Sequence, residues 1–422
     1  MLDYIHEICD GFAYQYKFVY NRTFIIAGHI LTPSEKILQK LIGFQTVSRD
    51  TNMALIQYIK QYLEDHGISS NLTCNDDATK ANLYAVFGPT RTGSNGDDVS
   101  DGGVMLSGHT DVVPVDGQRW TVDPFQLSIA DDRLYGRGTT DMKGFIAAVL
   151  AMVPRAVNSE LTQPIHLAFS YDEEIGCVGV RRMIEMLESA PQRPGFCIVG
   201  EPTSLQVAVA HKGKTAAICR CHGVEAHSAL ANEGLNAIYL ASEMIAELRK
   251  IQQQLVDQGG HDPDFNVPYS TIHVGTINGG TALNIIPNLC EFKFEIRNLE
   301  KDDPMALMEN IKSVAQDISQ KYRQAFPRAD IEIEMFNQYP ALNTDEEEEV
   351  VGFVQRLVSE ETTIKLDFGT EGGLFQSRLG IPTVVCGPGS MEQGHKPDEF
   401  IKRSELARCD LFLDRLVDSI SL

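Results

Sequence analysis

Four short apolar runs, separated by segments with helical spacing, limit the folds that this chain can adopt. The runs are too short for helices and lack polar alternation, so they predict strands buried on both faces. They are Val104–Ser107, Ile165–Ser170, Cys197–Val199 and Pro382–Cys386. Apolar spacing typical of helices marks Met142–Val153 and Val178–Leu187 between them. Strands that alternate with helices predict an α/β fold with a mostly parallel central sheet.

Each of these runs is followed by a histidine or a carboxylate. The side chains are His109, Glu173, Glu174, Glu201 and His395, and Asp141 begins the helical segment at Met142. Because ligands bind outside the carboxyl ends of parallel strands, we expect these groups to meet at one edge of the sheet. Two histidines and three of these carboxylates, Asp141, Glu174 and Glu201, suit two Zn²⁺ or similar ions that share one bridging carboxylate.

Two further acids near these positions have natural roles. Asp111 lies two residues beyond His109 and is expected to accept the second imidazole N–H, which fixes the tautomer. Glu173 is adjacent to the expected ligand Glu174 and is expected to act as a general base toward a water whose pKa the metals lower. The predicted reaction class is metal-assisted hydrolysis of an amide or related bond.

The middle of the chain has a different pattern, which predicts the order βαββαβ of a ferredoxin-like unit. Its predicted elements are a strand at Val207–Cys221, a helix at Leu235–Leu255, strands at Ser270–Ile277 and Leu289–Arg297, a helix at Met305–Tyr322 and a strand at Ile331–Phe336. We therefore predict a domain inserted into the α/β domain. The predicted divisions are an N-terminal extension of unclear role (1–30), the catalytic domain in two parts (31–206 and 338–422) and the inserted domain (207–337).

Composition excludes several classes of partner. The 36 basic and 58 acidic residues give a net charge of −22, which disfavours binding to nucleic acid or to anionic lipid. No apolar run reaches the length of a membrane span, and acidic residues interrupt the N-terminus, so no signal peptide is expected. The nine cysteines include no Cys-x-x-Cys pair, which predicts free thiols and a cytoplasmic location.

Several separate motifs together resemble the M20 metallopeptidase family. They are Ser107-Gly108-His109-Thr110-Asp111-Val112-Val113-Pro114, Tyr135-Gly136-Arg137-Gly138-Thr139-Thr140-Asp141-Met142-Lys143-Gly144, Asp172-Glu173-Glu174-Ile175-Gly176 and Gly200-Glu201-Pro202-Thr203. The resemblance extends from about Leu31 to the C-terminus. It implies a zinc-peptidase-like catalytic domain, with the inserted domain as a lid that also forms a homodimer.

The resemblance also implies a role for each matching residue. His109 and Glu201 would bind one ion, Glu174 and His395 the other, Asp141 would bridge them and Glu173 would be the base. His227, in Glu225-Ala226-His227-Ser228, matches the residue that stabilises the oxyanion in the neighbouring subunit's site. Asn284 and Arg297 match residues that bind the substrate carboxylate. The implied cofactors are two divalent ions, Zn²⁺ first and Co²⁺ as an alternative.

Further motifs indicate the substrate. They are Ala210-His211-Lys212-Gly213, Thr370-Glu371-Gly372, Gly387-Pro388-Gly389-Ser390 and Gln393-Gly394-His395-Lys396-Pro397-Asp398-Glu399. They are most similar to those of members that remove acetyl from Nα-acetyl-L-ornithine in arginine biosynthesis, and Glu371 is expected to receive the substrate ammonium. The alternatives are another N-acyl amino acid or succinyl-diaminopimelate. An interaction protein with an inactive metal site is a third alternative, which the presence of Glu173 disfavours.

Overall fold

The computed structural model describes residues 25–26, 29–89, 102–190 and 193–422. Most of the predicted N-terminal extension therefore lies outside the described residues. Its described part is a short antiparallel pair, β1 (Ile25–Ile26) and β2 (His29–Ile30).

The remaining elements follow in chain order. The strands are β3 (Ser70–Cys74), β4 (Ala81–Phe87), β5 (Val104–His109), β6 (Ser128–Ala130), β7 (Arg133–Tyr135), β8 (Ile165–Ser170), β9 (Phe196–Pro202), β10 (Val207–His211), β11 (Gly213–His222), β12 (Thr271–Gly279), β13 (Leu289–Asn298), β14 (Asp330–Tyr339), β15 (Leu342–Asn343), β16 (Thr363–Leu366), β17 (Thr383–Gly387) and β18 (Phe400–Lys402). The helices are α1 (Pro33–Ile42), α2 (Met53–Asp65), α3 (Lys143–Ala156), α4 (Val180–Glu188), α5 (Ala237–Gln258), α6 (Pro304–Arg323), α7 (Glu349–Val358), α8 (Gly372–Leu374) and α9 (Arg403–Ser419).

The first of two compact units comprises Met1–Val207, Glu346–Thr363 and Arg378–Leu422. Its main sheet has the order β17-β9-β5-β8-β4-β3. The pairs from β17 to β8 are parallel, whereas β4 pairs antiparallel with both β8 and β3. Every residue of β5, β8 and β17 is buried, as expected for strands covered on both faces. The predicted α/β class with a mostly parallel sheet is confirmed.

Helix α3 lies between the sheet and further helices of the first unit, contacting β5 and β9 as well as α1 and α9. Helix α1 begins at a capping box: Thr32 Oγ1 accepts from the Glu35 N–H at 3.2 Å, and Glu35 Oε2 accepts from the Thr32 N–H at 2.9 Å. Glu35 also pairs with Arg403 at the start of α9. This ion pair joins α1 to α9, and both helices pack against α3, the helix that follows Asp141.

The second unit comprises Ala208–Asp345 and Ile364–Ser377. It contains an antiparallel sheet with the order β12-β13-β11-β14, and α5 and α6 complete the βαββαβ order. Its core joins strand residues such as Phe292 and Phe294 to helix residues such as Met244 and Ile311. The structure groups residues 364–377 with this unit, although the sequence prediction assigns them to the catalytic domain. The domain limits derived from the sequence stay predictions.

The single strand predicted at Val207–Cys221 is wrong, because the structure divides it into β10 and β11. Strand β10 pairs with β15, whereas β11 pairs with β13 and β14. Between them, the buried Lys212 ammonium donates to the carbonyls of Val267 at 2.6 Å and Tyr269 at 3.0 Å. The chain therefore changes sheet at Lys212, although its apolar pattern continues.

Among the described residues, no helix combines the length and the apolar character that crossing a membrane requires. The eight cysteines that fall in this part of the chain are all free.

Candidate metal centre

The carboxyl ends of the parallel strands bring the expected ligands together. His109 is the last residue of β5, Glu174 follows β8, and Glu201 is the second-last residue of β9. His395 follows β17, and Asp141 precedes α3. Four strand ends and the start of α3, far apart in sequence, thus bring five ligand-type side chains to one region of the first unit.

Asp141 lies between the two histidines, with one carboxylate oxygen toward each. His109 Nε2 is 3.1 Å from Asp141 Oδ1, and His395 Nε2 is 3.1 Å from Asp141 Oδ2. His109 Nε2 is also 3.4 Å from Glu201 Oε1, and His395 Nε2 is 3.0 Å from Glu174 Oε2. This arrangement has the connectivity of two neighbouring cation sites that share a carboxylate.

Two carboxylate oxygens of the cluster, Glu174 Oε1 and Glu201 Oε2, are buried and make no hydrogen bond. A buried oxygen without a donor is costly, and nearly all such groups in proteins have a partner. Carboxylate and imidazole ligands are those that Zn²⁺ and similar divalent ions accept. The residues therefore fit the pair of cations that the sequence predicts.

The ionisation of the cluster indicates excess negative charge. Burial, followed by the charge of Asp141, raises the pKa of Glu174 to about 7 and also raises the pKa of Glu201. Hydrogen bonds to Asp141 and Glu174 raise the pKa of His395 to about 10. Burial would lower the pKa of His109, but the charge of Glu201 and its acidic neighbours raise it well above the usual value. Divalent cations would balance this charge and displace these protons.

Asp111 organises the site differently from the prediction. His109 Nδ1 donates to the main-chain carbonyl of Asp111 at 2.9 Å, whereas the nearer carboxylate oxygen is 3.5 Å away. The Asp111 carboxylate instead accepts from the N–H groups of Glu173 at 3.1 Å and Glu174 at 3.3 Å, and from Ser48 Oγ at 2.7 Å. It therefore holds the turn that carries both glutamates, while its carbonyl orients the imidazole and leaves Nε2 as the ligand atom.

Glu173 reaches the same cluster. Ligand atoms of Glu173, His109 and Glu201 all lie within 4.8 Å of one another, as do those of His109, Asp141 and Glu174. Cys177 Sγ donates to Glu173 Oε1 at 3.3 Å. The Glu173 carboxylate is thus close enough to act on a water held by the cluster.

Sequence reasoning assigned no role to Glu399 and Arg137, although both lie in quoted motifs. Arg137 Nη1 is 2.6 Å from Glu399 Oε2, and both side chains are buried. The Glu399 carboxylate also accepts from main-chain N–H groups next to Asp141. His211 is a second missed residue: its Nε2 accepts from the N–H groups of Thr370 and Gly373, each at 3.3 Å.

In the second unit, the structure brings His227 and Asn284 together. The Ser228 N–H donates to the Asn284 carbonyl at 3.0 Å, and His227 forms a bridge with Ile285. The exposed His227 ring accepts from the Ala229 N–H through Nδ1 at 3.1 Å, so its proton is on Nε2. This imidazole presents one N–H donor to its surroundings.

The other two predicted substrate residues, also in the second unit, already have contacts. Arg297 Nε is 3.0 Å from Glu295 Oε1, and its Nη1 donates to Tyr339 Oη at 3.0 Å. Glu371 is only 1% exposed and immediately precedes α8.

Residues 105–419 match the model of peptidase family M20/M25/M40. Acetylornithine deacetylase of Yersinia pseudotuberculosis serotype O:1b (strain IP 31758) is 35% identical over 396 residues, which cover 92% of this chain and 97% of that protein. Acetylornithine deacetylase of Pectobacterium carotovorum subsp. carotovorum (strain PC1) is 37% identical over 300 residues, covering 71% and 76%.

Solved structures show the same fold at lower identity. An M20 family metallo-carboxypeptidase from Sulfolobus solfataricus has a TM-score of 0.73 and 19% identity, covering 92% of this chain and 99% of its own. A dinuclear metal-binding peptidase of the M20 family from Bacillus subtilis has a TM-score of 0.63 and 16% identity, covering 92% and 97%.

Proposed function

Because the chain belongs to peptidase family M20/M25/M40, we propose that it is a di-metal hydrolase that removes acetyl from Nα-acetyl-L-ornithine, giving L-ornithine and acetate. The observation that carries the hydrolytic part is the cluster of two imidazoles and three carboxylates with unpartnered buried oxygens. The substrate rests on similarity to relatives named acetylornithine deacetylase at 35% identity. Arginine biosynthesis and a cytoplasmic location remain predictions.

The proposed ligand assignment is the one that the family resemblance implies, and distances within the cluster support it. His109 and Glu201 would hold one ion, Glu174 and His395 the other, and Asp141 would contribute one oxygen to each. When bound, the two ions would polarise the amide carbonyl and lower the pKa of a water molecule. Zn²⁺ is the proposed metal, with Co²⁺ as the alternative.

Glu173 would move the proton. Its carboxylate accepts a proton from the attacking water and later returns it to the nitrogen of the leaving amine, which departs as neutral ornithine α-amine. The hydrogen bond from the Glu173 N–H to Asp111 Oδ1 holds the main chain of this base. A purely structural metal site has no use for a carboxylate in this position, which counts against the inactive alternative.

We infer that His227 donates its Nε2–H to the oxygen on which negative charge develops. The acceptor bond at Nδ1 keeps the donor on Nε2. Arg297 and Asn284 remain the proposed partners of the substrate carboxylate. Arg297 would have to bind it with the guanidinium N–H groups that Glu295 and Tyr339 leave available.

We infer that the chain forms a homodimer through one edge of the second unit's sheet. Strand β12 is the edge of the order β12-β13-β11-β14 and is largely exposed. We call the apolar residues near it the edge surface: Tyr239, Ile277, Leu283 and Ile285, all exposed. Three of these residues, Tyr239, Leu283 and Ile285, line a groove of about 760 Å³. An exposed strand edge with apolar neighbours favours pairing with a second copy across a twofold axis.

A substrate panel tests the proposal. The protein is stripped with a chelator, reloaded with Zn²⁺ or Co²⁺, and assayed for free acid released from Nα-acetylornithine, Nα-acetylmethionine and succinyl-diaminopimelate. We expect no release from the stripped protein and the highest kcat/KM on acetylornithine after reloading. A preference for either other substrate would favour the corresponding alternative, and full activity without metal would contradict the metal centre itself.

Glu371 is the proposed contact for the ornithine ammonium. Replacement Glu371→Gln should then reduce kcat/KM on acetylornithine more than on acetylmethionine. Equal losses on the two substrates would leave Glu371 a structural role at the start of α8.

A further inference from the structure

Arg137 and Glu399 form an ion pair that the proposed chemistry does not use. Each side chain is at most 1% exposed, and Arg137 Nη1 is 2.6 Å from Glu399 Oε2. Buried ion pairs are seldom favourable to stability overall, because removing both charges from water offsets their attraction. The burial of this ion pair therefore needs an explanation other than a contribution to stability.

Both oxygens of Glu399 bind the loop that ends at Asp141. Oε1 accepts from the N–H groups of Thr140 at 2.9 Å and Asp141 at 3.2 Å. Oε2 accepts from the Gly138 N–H at 3.0 Å, in addition to Arg137. One carboxylate thus fixes three main-chain N–H groups, including that of the residue between the two histidines.

Arg137 continues the chain of contacts toward the second histidine. Its Nη2 donates to Gln118 Oε1 at 2.6 Å, and Gln118 Nε2 donates to the carbonyl of His395 at 2.9 Å. The Trp120 ring lies against the guanidinium at 5.0 Å, and its Nε1 donates to the same Gln118 oxygen at 3.0 Å. The network therefore reaches main-chain atoms of both Asp141 and His395.

We propose that Glu399, with Arg137, is a positioning residue for the metal centre: it holds Asp141 and His395 at the spacing that two cations require. This inference rests on the proposed di-metal function. The pair suits the location because Arg137 balances the charge of Glu399, so that four donors are satisfied without adding net negative charge beside an acidic cluster.

Only an ionised carboxylate meets these requirements. A glutamine at this position has the same shape but a single acceptor oxygen, and its NH₂ group would face N–H donors of the loop. Replacement Glu399→Gln should therefore loosen the Asp141 loop and leave Arg137 without its anionic partner.

The test measures metal binding directly. For Glu399→Gln, we expect a 10- to 100-fold weaker affinity for at least one of the two ions in chelator competition, the range typical when a partner of a metal ligand is lost. The visible absorption of the Co²⁺-loaded protein should change in shape, because the geometry of the ligands changes. At saturating metal, kcat should fall while KM changes little.

Glu35→Gln is the matched control. Glu35 is also a buried carboxylate that accepts from an arginine, Arg403, and from a main-chain N–H, that of Thr32. These partners of Glu35, Thr32 and Arg403, are not ligands of the cluster. This control should lower thermal stability while metal affinity and the Co²⁺ spectrum stay as in the wild type.

The outcomes distinguish a failure of the positioning role from a failure of the di-metal function. Unchanged affinity and spectrum in Glu399→Gln, with a wild type that binds two ions, would overturn the positioning role. The same loss of affinity in Glu35→Gln would overturn it too, because the effect would then follow general stability. A wild type that binds no pair of divalent ions would instead contradict the proposed function.

If Glu399→Gln does not fold, Arg137→Lys takes its place. Lysine keeps the charge, but its single ammonium group lacks the planar set of N–H donors with which the guanidinium binds both Glu399 and Gln118. We expect weaker metal binding and an altered Co²⁺ spectrum here as well, and wild-type values for both would overturn the proposal.

Discussion

The two units of this protein differ in what each leaves unsatisfied. The first unit gathers five ligand-type side chains in one cluster, where Glu174 Oε1 and Glu201 Oε2 are buried without a hydrogen-bond donor. The second has an ordinary apolar core but exposes Tyr239, Ile277, Leu283 and Ile285 around a strand edge. A cluster of buried carboxylates without enough donors favours a cation, whereas exposed apolar surface at a strand edge favours contact with another protein surface. Each feature therefore points to one of the proposed functions, and its chemistry indicates the kind of partner that would bind there.

Substitutions in the two units should therefore have different effects on activity, metal content and stability. Removing a carboxylate from the first cluster relieves charge repulsion, so its loss should affect activity and metal content more than stability. Removing apolar surface from the edge should leave the fold intact, since those side chains contact solvent.

Replacement Glu173→Gln should reduce kcat by about 10²–10⁴-fold while both ions stay bound, because the general base is lost and the ligands remain. Replacement Glu174→Gln should instead lower the metal content, because it removes a ligand. Elemental analysis alongside turnover distinguishes the two. If Glu173→Gln loses metal and Glu174→Gln keeps it, the two roles are exchanged.

Replacement His227→Ala should reduce kcat by about 10²–10³-fold, the usual cost of one donor to an oxyanion. It should leave metal content unchanged, because His227 belongs to the second unit.

Mixing tests whether His227 serves the partner subunit. Homodimers of His227→Ala and Glu173→Gln should each be nearly inactive. In a mixed dimer, the His227→Ala subunit retains Glu173 and receives the partner's imidazole, so one site is complete and activity returns on subunit exchange. If His227 served its own subunit, the mixture would remain inactive.

A lysine in the edge surface should weaken the dimer. Ile277→Lys puts a charge into the proposed interface, and we expect the dissociation constant to rise about 10- to 100-fold in sedimentation or light scattering. Phe336→Lys is the matched control, because Phe336 is an exposed residue of β14, the opposite edge of the same sheet. If Phe336→Lys disrupts the dimer and Ile277→Lys does not, the interface is not at the β12 edge.

Much of the first unit follows from the sequence because its signals are local. Apolar runs mark buried strands, and the rule that sites lie at carboxyl strand ends brings His109, Glu174 and Glu201 together without knowledge of the contacts. The break at Lys212 was missed because an apolar pattern does not reveal which sheet a strand joins. Its local sequence continues as a strand on both sides of the break.

The missed contacts involve the main chain or long sequence separations. The carbonyl of Asp111 orients His109, and main-chain groups carry no residue-specific signal. Glu399 binds the N–H of Asp141 across 258 positions, so only the folded chain reveals the pair. The sequence could identify the type of chemistry at these positions but not the atoms that support it.

Asp410 provides the smallest predicted effect and a control on the whole comparison, because it is a largely buried acid of the first unit outside the cation cluster. It accepts from Ser34 Oγ at 2.7 Å, and its Oδ1 is buried without a hydrogen bond. Burial raises its pKa to about 6. The folded state therefore holds the proton more tightly than the unfolded chain, whose aspartate pKa is about 3.9. This contribution to stability is complete below about pH 4 and is lost as the pH rises through 6.

Asp410→Asn stays neutral and should raise the free energy of unfolding at pH 7.5 by about 1 kcal/mol, less than the full shift implies because the group is partly exposed. Denaturation at pH 4.5 and 7.5 should show the advantage growing with pH, with activity and metal content unchanged. A destabilised Asp410→Asn at pH 7.5 would mean that an unpartnered acid can be buried here without a cation, which would weaken the same inference at the metal centre.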